Sequence, residues 1–400
     1  MHAEQIVTRV LVARLGFMHS KRAGALLRAT TALLQGGIGS LSQIALWLGG
    51  AAKLKHRLKS VDRLLGNSGL QQQRWEVYRG VAQSWIGELP QILVVIDWSD
   101  ATRDQRWQLL RASVVVEGRS VTLYEEVHAQ KRLGNPLVHR QFLRRLQAML
   151  PAGCRPIVMS DSGFHAPWFK SVAALGWQFI GRVRGRNRLR LGEAGTWTPV
   201  RDLYARAGTQ ALDLGPGAYA RSNPVDMRAV LAKRQKKNRH RLTIHGTRRI
   251  GRASAKNARS AREPWLLVSS PGLEHLSAGA IVALYSQRMR IEQSFRDTKN
   301  LRVGLGLEVA RSRTGKRLEM LLLIAHLAGF VQRLVGESAK AQQLELQFMA
   351  TRRADRAEIS VLTLARRILN APAHYLKQVL PWRAIAPLTQ QARRAYADAI

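Results

Sequence analysis

Residues 285–300, YSQRMRIEQSFRDTKN, combine side chains that suit phosphate chemistry. On one helix at about 100° per residue, a stripe about 60° wide carries a tyrosine, a carboxylate and two cations, with a third cation beside it. These are Tyr285, Glu292, Arg288, Lys299 and Arg296. Glutamate can bind a metal ion, arginine and lysine can hold phosphates, and tyrosine can hydrogen-bond a phosphate or stack. The opposite side should pack, because it carries Ile281, Leu284, Ile291 and Phe295.

Two aspartates follow apolar runs that read as buried strands. Asp97 follows ILVVI and Asp161 follows PIVMS, so both are expected at a sheet edge, where ligands of α/β sheets commonly bind. Such carboxylates can share Mg²⁺, and two ions about 4 Å apart can activate and stabilise the oxygens of phosphoryl transfer. An aspartate after a strand is also ordinary turn chemistry. Other candidates are Asp100, Asp104 and Glu117 in place of Asp97, and Glu125 and Glu126 as general carboxylates.

The charge balance indicates a polyanionic partner. The 400 residues include 64 Lys and Arg against 26 Asp and Glu, a net charge of +38, which favours nucleic acid. An anionic membrane surface is the alternative, but the apolar run at 320–331 is shorter than the ~20 residues that span a bilayer. The N-terminal stretch contains arginine and does not resemble a secretory signal. The single cysteine, Cys154, excludes an internal disulfide and predicts an intracellular protein.

The elements that must position these residues fall into four predicted regions. Residues 1–85 are helical, and a basic helix pair within 40–67 suits either DNA reading or a solvated amphipathic surface. Residues 90–180 and 264–336 alternate strands and helices, which predicts an α/β core. Residues 181–263 form a basic, β-rich insertion, and residues 337–400 are helical.

Several further residues have two interpretations each. The basic run at 233–241 is either a phosphate-tracking patch or a solvated loop. Trp98 and Trp265 either stack on an extruded base or pack in the core, and packing is favoured. His128 and His165 either assist near the site or are hydrogen-bonded structural residues, and the structural role is favoured.

The spacing Tyr-x2-Arg-x3-Glu-x6-Lys resembles the Y-R-E-K motif of bacterial insertion-sequence transposases of the DDE type, in the insertion sequence four family. VVIDWSD resembles the first-aspartate strand of that family, VMSDSGFHAPWF its second-aspartate segment, and the basic insertion its β-rich insertion. The resemblance covers about residues 30 to 370. The chain departs from it at Ser162, where many members carry arginine.

The resemblance implies specific roles. Asp97, Asp161 and Glu292 would be the catalytic, metal-binding triad, and the DNA-binding residues would be Tyr285, Arg288, Lys299 and Arg296. The implied fold is a ribonuclease-H-like mixed sheet with flanking helices, interrupted by the insertion, with an N-terminal DNA-binding region and C-terminal helices.

The implied reaction uses two Mg²⁺ ions, or Mn²⁺, to cleave the element ends and transfer their 3′ hydroxyls into target DNA. Some members form a DNA hairpin on the way. The expected partners are the terminal inverted repeats and target DNA, with a homodimer on DNA, no membrane, and a cytoplasmic, nucleoid-associated location in a bacterium. The alternatives are a decayed or regulatory DNA-binding protein of the same fold and a nuclease without strand transfer.

Overall fold

The computed structural model describes residues 2–185, 187–233, 247, 251, 263–349, 359–398 and 400. The chain divides into two compact units. The first unit comprises Met1–Cys154 and Met289–Ala395, and the second comprises Arg155–Arg288 and Tyr396–Ile400. This division is coarser than the four regions predicted from the sequence, whose boundaries stay a prediction.

The first unit begins with helices. They are α1 (Ala3–Leu11), α2 (Ser20–Gly36), α3 (Leu41–Trp47), α4 (Leu54–Leu65) and α5 (Ser68–Ile86). Ser40 starts α3 because its side chain accepts the N–H of Gln43 at 3.4 Å. Arg57 of α4 donates to the carbonyl oxygen of Leu48 at 2.8 Å, near the end of α3. The predicted helix pair within residues 40–67 is therefore confirmed as structure.

An antiparallel meander follows in the same unit. It consists of β1 (Gln91–Asp100), β2 (Trp107–Val116) and β3 (Arg119–Ala129), in the order β3-β2-β1, and is followed by α6 (Pro136–Met149). Gly118 makes the turn between β2 and β3 with φ of 66°. The expectation that Asp97 follows its strand is wrong. β1 continues to Asp100, and Asp97 pairs with Arg111 of β2.

The second unit contains a seven-stranded group within the described residues. Its order is β4-β5-β10-β9-β8-β6-β7, with β4 and β5 parallel and the other described pairs antiparallel. The strands are β4 (Arg155–Ser160), β5 (Gln178–Val183), β6 (Arg188–Leu191), β7 (Trp197–Pro199), β8 (Leu212–Tyr219), β9 (Val225–Ala232) and β10 (Trp265–Ser269). The helices are α7 (Ala166–Ala173), α8 (Val200–Leu203) and α9 (Ala278–Ser286). Most of the basic run at 233–241 lies outside the described residues.

The rest of the first unit is helical. Its helices are α10 (Arg290–Lys299), α11 (Gly315–Ala341), α12 (Val361–Leu369), α13 (Ala373–Gln378) and α14 (Ile385–Ala397), whose end belongs to the second unit. α11 packs against β3, α2 and α12. By length and composition α11 could cross a membrane, because the apolar run at 320–331 is only part of a longer apolar helix. In the structure, however, 89% of its apolar window is buried inside the protein. Together, the helices and sheets confirm a mixed α/β fold.

Candidate active site

The motif segment is not one helix, so the prediction of a continuous helix is wrong. α9 ends at Ser286, a 3₁₀ turn covers Gln287–Met289, and α10 begins at Arg290. The turn tightens because the N–H of Gln287 donates to the carbonyl of Leu284, three residues earlier. Tyr285 and Arg288 thereby belong to the second unit, while Glu292, Arg296 and Lys299 belong to the first. The single stripe is broken at the turn. The predicted apolar face is buried.

Within α10, Glu292 faces outward in the first turn. The residue is exposed, as is Arg296 one turn later. A carboxylate in the first turn of a helix is favoured by the partial positive charge of that end. The opposite side of α10 carries Ser294, Phe295 and Thr298 toward the sheet, so the helix presents Glu292 away from its packed face.

Arg111 of β2 holds that packed face. Its side chain is 1% exposed and pairs with Glu125 of β3 at 2.6 Å, whose side chain is equally buried. The same guanidinium donates to the hydroxyls of Ser294 and Thr298, each at 3.0 Å, and lies 4.9 Å from the centre of the Phe295 ring. One buried arginine therefore joins two strands to the helix of Glu292. The sequence signal for this role is a lone arginine inside the apolar stretch LLRASVVV.

Two more arginines fix α10 to the β2–β3 hairpin. Arg119 pairs with Asp297 at 3.0 Å, and Arg290 donates to the carbonyl of Val116 at 2.6 Å. Burial raises the pKa of Asp297, and the charge of Arg119 partly offsets that rise. The anchors lie along the helix, so its orientation is set independently of any ligand.

Lys299 joins α10 to β1, the strand of Asp97. Its ammonium donates to the hydroxyl of Ser99 at 2.6 Å and to the carbonyl of Asp100 at 2.9 Å. Burial lowers the pKa of Lys299 to about 8, and the charge of Arg111 adds to this effect. The residue predicted to contact DNA thus also has a structural role at the end of β1.

The two aspartates are each half-buried and hydrogen-bonded locally. In the first unit, Oδ1 of Asp97 accepts the N–H of Trp98 at 2.8 Å. In the second unit, Oδ1 of Asp161 accepts the N–H of Gly163 at 2.8 Å, immediately after β4. A Cβ at position 163 would stand 3.0 Å from that oxygen, so glycine leaves room for the turn. The predicted position of Asp161 at a strand end is confirmed.

No three His, Cys, Asp or Glu side chains form a group that could hold a metal ion among the residues described. Glu292 and Asp97 are in the first unit, on α10 and β1, and Asp161 is in the second. All three donors are carboxylates, which is the ligand type that Mg²⁺ and Mn²⁺ prefer. The donor chemistry therefore fits a hard divalent ion.

In the second unit, Tyr285 is 2% exposed, and its ring meets that of Trp265 edge to face at 4.9 Å between centres. The guanidinium of Arg288 lies 6.0 Å from the centre of the Tyr285 ring, within reach of a cation–π contact. Packing, rather than exposure for stacking, is therefore the observed environment of Trp265. Trp98 in the first unit is similar, because its Nε1 donates to Nε2 of His139 at 3.0 Å.

The competing carboxylates have structural partners. Burial opposes ionisation of Glu126, but hydrogen bonds from His128 and Tyr124 and the charge of Arg145 lower its pKa to about 2. His128 is therefore a hydrogen-bonded structural residue, as expected. His165 is exposed directly before α7, and its side chain makes no capping hydrogen bond to that helix. The remaining competitors are bonded to protein groups: Glu125 to Arg111, Asp100 to Gln105 and Gln108, Asp104 to Thr102, and Glu117 to Lys340.

Comparison with known proteins decides the family. The family model described as "Transposase DDE domain" matches residues 88–328, more than half of the chain. The chain belongs to the DDE transposase family. The matched segment runs from just before β1 into α11 and includes Asp97, Asp161 and Glu292. The sequence-based prediction of a DDE transposase is confirmed, and with it a role in DNA transposition and recombination.

Two further comparisons add little to that assignment. The DDE transposase described here is similar to a piggyBac transposase in a cryo-EM structure of its synaptic complex with hairpin DNA. The two share 11% sequence identity with a TM-score of 0.43, over 95% of this chain and 75% of that chain. No curated protein matches the sequence.

Proposed function

We propose that this transposase is a cut-and-paste enzyme of the insertion sequence four family. It binds the two ends of a DNA element, hydrolyses a phosphodiester bond at each end, and joins the freed 3′ hydroxyls to target DNA. The observation that carries the proposal is the placement of Glu292, which is exposed on a helix anchored by three arginines, within a Tyr-x2-Arg-x3-Glu-x6-Lys spacing and a matching DDE domain.

Asp97, Asp161 and Glu292 are the proposed metal ligands. Bound ions, Mg²⁺ or Mn²⁺ and two in number, would activate the attacking oxygen and stabilise the leaving oxygen. The protein's own contribution is orientation. Arg111 and Lys299 hold α10 against β2 and β1, which limits how far Glu292 can turn. The core built around these carboxylates is proposed to be ribonuclease-H-like.

Positive side chains of the motif region are proposed to hold the DNA end. Arg296 is exposed one turn after Glu292, where its planar guanidinium can grip a phosphate with two parallel hydrogen bonds. Tyr285 is buried, so its proposed contribution is to position Arg288 through the ring that lies beneath that guanidinium. Lys299 supplies an ammonium near the end of β1, and an ammonium has three N–H donors for phosphate and protein oxygens.

Each proposed step forms one bond to phosphorus and breaks another, and it consumes only water and DNA. Water attacks the phosphorus, the 3′ oxygen leaves, and the resulting 3′ hydroxyl later attacks a target phosphorus with release of the target's 3′ oxygen. In the hairpin variant, the first freed 3′ hydroxyl attacks the opposite strand before water reopens it. No covalent enzyme intermediate is formed in either route.

The proposed assembly is a homodimer on DNA, because two ends must be held together, with the C-terminal helices as the contact. The basic helix pair α3–α4 is proposed to read the terminal repeats. The corresponding location is the nucleoid of a bacterial cytoplasm, with no membrane involved.

A second candidate is a decayed or regulatory DNA-binding protein of the same fold. It is favoured by Ser162, which stands directly after Asp161 where the resemblance to the family leads us to expect arginine. This protein would bind the element ends without cutting them. It differs from the first candidate only in chemistry.

The experiment is a cleavage and strand-transfer assay on a supercoiled plasmid that carries the element's own ends, with Mg²⁺. We expect excised and joined products from the wild type. Glu292→Gln should lower the rate by at least about a hundredfold while end binding is retained, since a lost metal ligand removes several kcal/mol of transition-state stabilisation. Glu88→Gln, which alters an exposed carboxylate before β1, is the matched control and should cut normally. Binding without products in every protein would support the second candidate.

A further inference from the structure

Trp98, the residue after Asp97, is fastened to α6 by a hydrogen bond. Its indole Nε1 donates to Nε2 of His139 at 3.0 Å, and the two ring centres lie 5.9 Å apart. His139 is 4% exposed, so this bond is made to a buried acceptor. An indole nitrogen can only donate, so Nε2 of His139 accepts and the imidazole is neutral, with its proton on Nδ1. His139 lies outside the Tyr-x2-Arg-x3-Glu-x6-Lys motif and is not a proposed metal ligand.

A second histidine of the first unit holds the same indole. His128 of β3 meets the ring of Trp98 edge to face, with 5.7 Å between ring centres. The carboxylate of Glu126 fixes this imidazole, because its Oε2 lies 2.9 Å from Nε2 of His128. Glu126 in turn accepts from the hydroxyl of Tyr124 at 2.7 Å and from the guanidinium of Arg145 on α6. The indole therefore lies against two imidazoles that belong to different elements.

The first turn of α6 is a rigid support for His139. The side-chain oxygen of Asn135 accepts the N–H of Leu137 at 2.9 Å, and its carbonyl oxygen accepts the N–H of His139 at 3.1 Å. Phe142, about one turn later, is fully buried, and its ring stacks with that of Tyr124 at 5.3 Å between centres. Capping and packing thus fix the turn that carries the acceptor.

Asp97 and Trp98 point to opposite faces of the sheet, because successive side chains of a strand alternate. Asp97 is paired with Arg111 of β2, and side chains directly opposite each other share a face. The Arg111 guanidinium reaches Ser294 of α10 at 3.0 Å, so Asp97 lies on the face that α10 covers. Trp98 lies on the other face, which α6 covers.

Both faces of β1 are therefore fastened to a helix next to Asp97. On the α10 face, Lys299 donates to the hydroxyl of Ser99 at 2.6 Å, and on the α6 face His139 holds Trp98. The N–H of Trp98 also donates to Oδ1 of Asp97 at 2.8 Å. A shift of Trp98 thus reaches the Asp97 carboxylate through the chain and through this hydrogen bond.

We propose that His139 is a positioning residue for the reaction. It holds the indole of Trp98 and through it sets the place of the Asp97 carboxylate. The inference rests on the proposed function, in which Asp97 is a metal ligand. Residues that orient a metal ligand typically change metal affinity or activity by about 10- to 100-fold when they are replaced.

The test measures metal affinity directly, without cleavage. The full chain is bound to an element-end duplex that stops at the cleavage site, and Mn²⁺ is titrated while electron paramagnetic resonance reports the unbound ion. His139→Phe keeps a ring but removes the acceptor, and it should weaken Mn²⁺ binding roughly tenfold. His139→Gln keeps an acceptor oxygen and should restore most of the affinity. Affinity for the duplex should stay unchanged in both variants.

Trp98→Phe removes the same hydrogen bond from the donor side, so it should weaken Mn²⁺ binding to a similar extent and tests the proposal even if a variant of His139 does not fold. The matched control is Phe142→Leu, which removes buried packing from the same helix. It should lower the thermal stability while leaving Mn²⁺ affinity unchanged, because it makes no contact with the indole hydrogen bond.

The proposal would be overturned if His139→Phe lost only thermal stability, as Phe142→Leu does, because His139 would then be a core residue and nothing more. Equal weakening by His139→Gln and His139→Phe would also overturn it, since the acceptor would then be irrelevant. A failure of the proposed function looks different: Asp97→Asn would leave Mn²⁺ binding unchanged, and the wild type would yield no cleavage products.

Discussion

At the scale of single residues, His326 in α11 is a buried titratable group outside the proposed site. It is 7% exposed, its ring lies 4.5 Å from that of Tyr78, and its Nε2 has no hydrogen-bond partner within the described structure. Burial lowers the pKa of His326 from 6.5 to about 3, and the charge of Arg111 adds to this effect. It also borders a cavity of about 70 Å³ behind α10 that Arg111 and Ser294 line as well.

This histidine predicts a loss of stability in acid. The unfolded chain binds a proton below pH 6.5, whereas the folded chain binds it only near pH 3, so the stabilisation is full above 6.5 and declines as pH falls toward 3. The contribution to the slope is about 1.4 kcal/mol per pH unit. Urea unfolding across this window should show a shallower decline for His326→Phe than for the wild type.

His275→Phe is the control, because His275 is exposed and its replacement should leave the slope unchanged. Parallel slopes for the wild type and His326→Phe would contradict the account. Carboxylates titrate in the same range, but they do so equally in all three proteins, so the comparison isolates the histidine.

Residue types and spacing were sufficient to predict the DDE family, because these features are local in sequence. The role of Lys299 was only partly predictable. Its bonds to Ser99 and to the carbonyl of Asp100 join residues about 200 positions apart, and such a pairing leaves no trace in local spacing. Arg111 was missed for the same reason.

At the scale of elements, the main structural point is how α10 is held. The Arg111–Glu125 pair is enclosed, with both side chains 1% exposed, and the arginine continues to two hydroxyls of the helix. A buried ion pair adds little net stability, but removing one partner is strongly destabilising because the other charge is left buried and unpaired. The orientation of Glu292 therefore depends on this pair.

Removing one partner of the Arg111–Glu125 pair should destabilise the protein more than removing both. Arg111→Leu should destabilise the protein by about 3–5 kcal/mol, because it leaves the Glu125 carboxylate buried without its ion partner. Arg111→Leu with Glu125→Leu should be less destabilised than the single variant, although still impaired in cleavage because α10 has lost its anchor. Denaturant unfolding and the plasmid assay measure the two effects.

Arg106→Leu is the matched control. Arg106 pairs with Asp104 at 3.6 Å with both side chains more than half exposed, so its removal should leave the stability nearly unchanged. A double variant less stable than Arg111→Leu alone would show that the account of the buried pair is mistaken.

Some elements were predictable from the sequence, as the helix pair at residues 40–67 shows. Two boundaries were not. β1 runs past Asp97 because its polar end continues to pair with β2 through Asp100. The motif helix breaks at Gln287–Met289, where the sequence has no glycine or proline to signal a turn.

At the scale of the whole molecule, the charge of +38 dominates. A protein that contacts 6–10 phosphates should lose roughly 10³ to 10⁵ in affinity for DNA between about 50 and 200 mM salt, because binding releases counterions. The net charge does not indicate which surface binds. α4 is the candidate with the densest exposed cations in the described N-terminal helices, including Lys55 and Lys59.

The slope of log K against log salt is negative. Replacing Lys55 and Lys59 with glutamine should make it less steep by about 2, if each lysine contacts one phosphate. Arg57 on the same helix is bonded to the end of α3, so Arg57→Gln should instead lower thermal stability. Fluorescence anisotropy with an element-end duplex over a salt series measures the slopes. An unchanged slope in the double variant would move the DNA-binding surface away from α4.

The central claim is that Asp97, Asp161 and Glu292 hold the same divalent ions. The most direct measurement is to replace Mg²⁺ with Fe²⁺ in the protein bound to its element ends, add peroxide, and map where locally formed radicals cut the chain. The account predicts cuts near all three residues, suppressed by excess Mg²⁺ and weakened throughout by Glu292→Gln. Cuts at other positions, or at only one of the three in a protein that still binds DNA, would contradict it.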